Sequence, residues 1–317
     1  MNGAAAPRVE RWREVDGIVL LDKPVGLSSN AALQRLRRIW RARKAGHTGS
    51  LDPLASGLLP ICFGQATKIC GMLLDADKTY LVTAALGART ATGDAEGEVV
   101  ERAPVPALSQ AEVERAAAGF RGESLQVPPM YSALKHAGQR LYQLARRGLE
   151  VERPPRRIVI HRLEIRLTGP DRLELEVECS KGTYVRTLVE DLARACGTQG
   201  YVAGLRRVSL GPFREPAMHT LADLEELGAR SPAALDALLL PADAALPGLP
   251  AIALGVAEQA WVLQGQPVFV AGPPGERVRM YGTGGLFLGV GRMLADGRRL
   301  APERIMVNLG VPGPVSA

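Results

Sequence analysis

The chain has 317 residues, 46% of them hydrophobic and 23% charged, which excludes a sequence too polar to bury a core and, at roughly 150 residues per domain, suggests about two domains. Aromatic residues make up only 4%, so packing must lean on Leu, Val, Ile and Ala. The formal charge of +6 leans toward a polyanionic partner such as nucleic acid without requiring one.

Residues 1–15 read as a polar arm, without the apolar run of a secretory signal. Gly17 to Asp22 predicts a short strand, stopped by Lys23-Pro24 and Gly26. Ser28 and Ser29 offer N-caps for a helix with Leu33, Leu36 and Ile39/Trp40 on its apolar face. The remainder of that helix is basic: Arg35, Arg37, Arg38, Arg41, Arg43 and Lys44, with no acid among them. Such a one-sided face repels itself unless something neutralises it, and a phosphate backbone would. A Gly-rich loop over Gly46 to Pro60 follows, then an apolar helix around Ala66 to Leu74 and a strand from Lys78 to Leu86. Gly87 to Gly97 reads as loop. Ser109 and Glu112 form a capping box that opens a helix through about Phe120.

Leu141 to Arg147 looks helical. Ile158 to Leu167 and Arg172 to Cys179 alternate as paired strands around a Gly169-Pro170-Asp171 turn. Val185, Leu188, Val189, Leu192 and Cys196 make an amphipathic helix stripe closed by Gly197. A strand over Tyr201 to Ser209 follows, then a helix and linker over about 215–250. From about residue 251 the pattern is a short helix (Ala257 to Leu263) and Gly-punctuated strands at Arg277–Tyr281, Leu286–Val290 and Arg304–Val307, a small β module. The apolar stretch Leu235 to Leu263 carries Asp236, Asp243, Glu258 and three prolines, a poor membrane span. Cys62 and Cys70, like Cys179 and Cys196, lack C-x-x-C spacing, and buried free thiols in a reducing compartment are expected.

Phosphate-cradling, dinucleotide and zinc-protease signatures are absent, as is the nucleophile-elbow motif. What stands out is a carboxylate, Asp52, in a loop of glycines that permit close backbone approach, stiffened by Pro53. By itself Asp-Pro is equally a turn initiator. The whole segment GHTGSLDPLASGLLP, Gly46 to Pro60, resembles the motif around the catalytic aspartate of the TruB family of pseudouridine synthases. The match continues in order through Asp22-Lys23-Pro24, Lys78-Thr79-Tyr80, Gln126 to Gly138, Cys179 to Leu188 and Leu205-Arg206-Arg207. Ser50 and Ser56 replace the threonines of many relatives, and Ala91 stands where the family usually shows an acid.

The resemblance implies an α+β fold: a mixed, mostly antiparallel central sheet with flanking helices over residues 16–250, and a PUA-like β module over 251–317. It implies isomerisation of a uridine, position 55 in the tRNA T loop, by flipping the base into a pocket. Asp52 would attack the sugar covalently or remove a ribose proton, with Arg186 holding it ionised. Tyr80 would stack on the base, Tyr184 and Leu205 would line the pocket, Lys23 would sit at its rim, and His47 would hold the displaced loop or the flipped nucleotide. Arg35, Arg38, Arg41, Arg43, Lys44, Arg146 and Arg147 would meet phosphates, as would Arg153, Arg156, Arg157, Arg206 and Arg207. No cofactor and no metal is implied. The expected protein is a cytoplasmic monomer whose partner is the T arm of tRNA. Its rivals are another RNA uridine as substrate, or a role in RNA folding without chemistry.

Overall fold

The computed structural model describes residues 12–215 and 217–306. Most of the arm expected over 1–15, and Val307 of the last expected strand, lie outside the described residues. Strand β1 (Gly17–Lys23) is apolar on both faces because it is covered on both. Val19 and Leu21 join the larger core, while Ile18 and Leu20 join a second one. Helix α1 (Ser29–Trp40) starts where Ser28 caps Ala31 N–H. It stops four residues before the end of the basic run. Arg41 adopts φ 51°, a left-handed cap whose N–H reaches the Arg37 and Arg38 carbonyls. Arg43 and Lys44 therefore leave the helix and lead into β2 (Ala45–His47).

β3 (Ser56–Phe63) is followed by a 3-10 segment, Gly64–Ile69, and α2 (Cys70–Leu74), where one helix was expected. β4 (Lys78–Leu86) comes next. The expected 87–97 loop begins as a strand: β5 (Ala88–Thr90) pairs with β6 (Val99–Arg102). Helix α3 (Gln110–Ala118) carries the Ser109–Glu112 capping box, with both hydrogen bonds formed. Strands β7 (Gly122–Gln126), β8 (Lys135–His136) and β9 (Gln139–Arg140) lead to α4 (Leu141–Ala145). β10 (Arg156–Gly169) and β11 (Arg172–Cys179) form the expected antiparallel pair. Helix α5 (Val185–Ala195) buries Val185, Leu188, Val189 and Leu192, the stripe read from the sequence. β12 (Gly200–Leu210), β13 (Phe213–Arg214), β14 (His219–Thr220), α6 (Leu221–Arg230) and α7 (Pro232–Asp236) complete this part.

One ten-stranded sheet runs β14-β1-β3-β12-β4-β11-β10-β7, with β2 on β3 and β13 on β12. Only the β1–β14 and β3–β12 pairs are parallel. The β3–β12 contact is the seam on which the site is built. It joins Ser56 to Arg206 and Gly57 to Arg207. Gly57 has φ +97°, and a Cβ there would lie 2.2 Å from the Arg207 carbonyl oxygen, so only glycine lets the strands approach this closely.

A second, five-stranded sheet begins at β15 (Ala251–Ala253) and continues through β16 (Val268–Phe269), β17 (Arg277–Tyr281), β18 (Phe287–Met293) and β19 (Arg299–Ile305), with α8 (Val256–Leu263) beside it. Its Val290, with Met306 just after β19, packs into the core that holds Ile18, Leu58 and Cys62. Lys68 donates to the Ile305 carbonyl at 2.7 Å. Among the described residues no helix is long and apolar enough to cross a membrane.

Candidate active site

Asp52 sits in a loop pinned on both sides. The Ser29 hydroxyl accepts from Leu51 N–H at 2.7 Å and donates to the Leu51 carbonyl at 3.0 Å. Gly26 N–H donates to the Pro53 carbonyl, and Ala55 N–H to that of Asp52. Leu51 and Ala55 are buried anchors in the main core. The Asp52 side chain itself stays 45% exposed, so a rigid loop presents a reachable carboxylate.

Arg186 is delivered to it by the first turn of α5. Its Nη2 lies 3.1 Å from Asp52 Oδ2. The guanidinium cannot swing away, because Nη1 donates to the Thr92 carbonyl and Nη2 to that of Tyr131, both at 2.7 Å. On its far side Nε lies 3.9 Å from Asp94 Oδ2, and Asp94 is buried. Burial pushes the Asp52 carboxyl above its usual range; Arg186 and Lys23 pull it back, and Asp94 adds to the rise. Asp94 is a neighbour that sequence reasoning missed. The signal was available in Thr90-Ala91-Thr92-Gly93-Asp94, where Gly93 at φ +76° brings the turn within contact of Arg186.

Tyr80 on β4 is 9% exposed and pairs across the strands with Arg207. Arg207 is fully buried, donating to the Leu58 carbonyl at 2.7 Å and the Gly49 carbonyl at 3.0 Å. It cannot touch phosphate, which corrects the sequence expectation. Its charge instead faces Tyr80, His47 and Lys78. Burial, then Arg207, lowers the His47 pKa and so favours the neutral imidazole. The β12 bulge between Arg207 and Ser209 lies beside this position, where such a kink re-aims a side chain.

Lys23 is also fully buried, with Nζ on the Pro24 and Leu27 carbonyls at 2.8 and 2.6 Å. Desolvation lowers it to about 8, against the pull of Asp52 and Glu96. It is a floor residue near Asp52 and not an exposed rim. Tyr184 precedes α5 and is half-buried. The Gln126 amide grips its backbone, accepting from its N–H at 2.8 Å and donating to its carbonyl at 3.1 Å. Leu205 stands across from Val82. With Leu54, Leu81 and Thr83 it lines a cleft of about 830 Å³ whose lining includes neither Asp52, Tyr80, Tyr184 nor Arg186.

The expected phosphate contacts divide. Arg35, Arg38, Arg41 and Lys44 are exposed, as are Arg146, Arg147 and Arg156. Arg43 is exposed but pairs with Glu14 at 2.6 Å, and Arg146 lies over the Tyr142 ring. Arg153 pairs with Glu150, Arg157 with Glu123, and Arg206 with Asp22 and Glu215. Those three are already neutralised by carboxylates. Among the described residues no group of three His, Cys, Asp or Glu side chains is close enough to hold a metal ion.

Three family models follow one another over residues 37–306. The TruB family pseudouridylate synthase N-terminal domain matches residues 37–185, the tRNA pseudouridylate synthase B C-terminal domain residues 186–247, and the pseudouridine synthase II TruB C-terminal domain residues 250–306. The chain belongs to the TruB family. Two TruB relatives cover almost all of it. The tRNA pseudouridine synthase B of Nitrosococcus oceani is 52% identical over 296 residues, 93% of this chain and 96% of that protein. That of Chromohalobacter salexigens is 48% identical over 301 residues, 94% and 97%. As a TruB protein the chain is a pseudouridine synthase, an isomerase. A crystal structure of a Cbf5-Nop10-Gar1 complex shares the TruB fold, with a TM-score of 0.72 at 24% identity over 91% of this chain and 84% of that one.

Proposed function

We propose that this TruB protein converts uridine 55 in the T loop of tRNA to pseudouridine, with Asp52 as the group that acts on the nucleotide. The observation that carries this reading is the Asp52–Arg186 pair: one carboxylate oxygen is held at 3.1 Å by an arginine locked on two carbonyls, while the side chain stays reachable. The relatives named above, about half identical over nearly the whole chain, are tRNA pseudouridine synthases by name.

The reaction breaks the N1–C1′ bond, turns the uracil and joins C5 to C1′. The proton leaving C5 is balanced by one gained at N1. An ionised carboxylate serves either opening step, attack on C1′ or removal of a ribose proton. Arg186 keeps that carboxylate ionised and aimed. The uridine must leave its stack to reach Asp52. Tyr80 then packs on the base, Tyr184 and Leu205 border it, and Lys23 adds positive potential from below. Neutral His47, whose Nδ1 is buried without a hydrogen-bond partner among the described residues, faces the displaced RNA. Exposed Arg35, Arg38, Arg41, Lys44, Arg146 and Arg147 neutralise phosphates and position the T arm.

One chain supplies Asp52, Arg186 and Tyr80, so a monomer suffices; in this reading it works in the cytoplasm, where tRNA is. The module from Ala251 onward, packed on the catalytic part through Val290 and Met306, is an accessory domain that binds RNA in the PUA manner. The test is to incubate the protein with unmodified tRNA and with an isolated T-arm hairpin, and to map pseudouridine by position. Conversion of one T-loop uridine in both, absent with Asp52→Ala, is expected. Tight binding with no conversion by the unaltered protein would overturn the reading.

A further inference from the structure

Cys62 and Cys70 are too far apart in sequence for a C-x-x-C pair, yet the fold brings them together. Cys62 is the next-to-last residue of β3, directly across from Gly46 of β2. Side chains of directly paired residues point to the same face. On that face the space above Gly46 is taken by Cys70, whose sulfur would lie 3.5 Å from a Cβ built there. Both thiols belong to the same small core, with Cys62 buried and Cys70 only partly so. The glycine leaves room for the second sulfur beside the first.

We propose that Cys70 and Cys62 form a peroxide-oxidisable thiol pair, with Cys70 reacting first and Cys62 closing a disulfide onto it. The two thiols are electrostatically unlike. Cys70 is also the more accessible of the two. Contact with Cys62 lowers its pKa against the opposing effect of its partial burial, with Lys44 acting in the same direction as the contact, whereas contact with Cys70 and burial both raise Cys62. The thiolate is the form that attacks peroxide. Cys70 sulfur takes one peroxide oxygen, the O–O bond breaks, and the released hydroxide is protonated to water. Cys62 sulfur then attacks the sulfenic sulfur, the S–O bond breaks, and the oxygen leaves as a second water with the Cys62 proton. Two thiols are oxidised by two electrons and one peroxide is reduced. The other cysteines lack these conditions: burial raises Cys179 to about 11, and it raises Cys196 too. The new bond would fasten the start of α2 to β3 behind β2, the strand that carries His47 into the site.

The test reads thiol chemistry alone, so it stands or falls apart from the uridine reading. The folded full chain is treated with a small excess of hydrogen peroxide, remaining thiols are alkylated, and peptides are mapped by mass spectrometry. A Cys62–Cys70 cross-link, reversed by dithiothreitol, is expected, with Cys70 alkylated at least about tenfold faster than Cys179 beforehand. In Cys62→Ser, dimedone should capture a sulfenic acid at Cys70; in Cys70→Ser, Cys62 should stay reduced. Failure of the cross-link to form in the unaltered protein, or oxidation of Cys179 or Cys196 as fast as Cys70, would overturn the proposal.

Discussion

Two groups of arginines in this molecule are held in opposite ways. On the open face of β10 and β11, Arg162 lies among Glu164, Glu176 and Glu178, and Arg166 pairs with Glu174. These side chains are half-exposed and neutralise one another. Around Asp52 the arginines are buried and rest mainly on backbone carbonyls: Arg186 on Thr92 and Tyr131, Arg207 on Leu58 and Gly49. A carbonyl satisfies an N–H without cancelling the charge. The outer ladder therefore spends its charge internally, while the inner pair leaves positive potential around one carboxylate. Whether an arginine acts on a ligand depends on what holds it, and composition alone does not report that.

Substitutions can break this contrast. The largest effect is expected at its centre. Asp52→Ala should lower isomerisation by about a thousandfold or more, while filter binding to tRNA persists; activity near that of the unaltered protein would remove Asp52 from the chemistry. Arg186→Met should cost roughly a hundredfold in kcat. It should also move the acid limb of the pH profile. The active carboxylate is ionised and its pKa is already raised by burial, so activity falls as pH drops through a value above the ordinary aspartate range. Without Arg186 that limb should lie higher still, and an unchanged limb would break the assignment. Arg207→Met strands the Leu58 and Gly49 carbonyls and should destabilise the fold by about 3 kcal/mol, read from urea unfolding.

Smaller effects sharpen the comparison. The folded pKa of Lys23, about 8, lies below its ordinary 10.5, so the unfolded chain binds the proton more tightly. Stability from this group should rise as pH climbs through that window and be lost as pH falls through about 8. Lys23→Met should abolish this rise in melting experiments. Arg166→Ala, on the outer ladder, should change stability by less than about 1 kcal/mol and leave RNA affinity alone. Arg35→Ala and Arg38→Ala should each weaken tRNA binding and reduce the salt slope by about one; no change would place that surface outside the RNA footprint.

Much of this was legible because local signals agreed with the global fold. The Ser109–Glu112 capping box, the Gly169–Asp171 turn and the stripe of α5 each depend on near neighbours in sequence, and each formed as read. The Asp52 motif also announced a constrained carboxylate. What stayed hidden depends on contacts distant in sequence. The burial of Arg207 and Lys23 follows from how β12 and β1 lie in the sheet, and no local pattern distinguishes a buried Lys-Pro or Arg-Arg from an exposed one. The basic run was read as one helical face because its spacing is helical, but the left-handed turn at Arg41 and the burial of Ala42 divide it. The nearness of Cys62 and Cys70 likewise needed the 3-10 segment that turns the chain back over β2.

The parallel seam between β3 and β12 has a consequence for how the molecule fails. Asp52 belongs to the part of the sheet before the seam, whereas Tyr80 and Arg186 belong to the part beyond it. The backbone ladder between the two parts registers two residue pairs, at Ser56 and Gly57, and the Arg207–Leu58, Arg207–Gly49 and Arg206–Asp22 side-chain bonds cross beside it. The site therefore works as an alignment gauge. In mild denaturant, slippage at this short join would pull Asp52 from Arg186 while each part kept its own strands. Activity would then disappear before secondary structure does, and a side chain larger than hydrogen at Gly57 would bring that point forward.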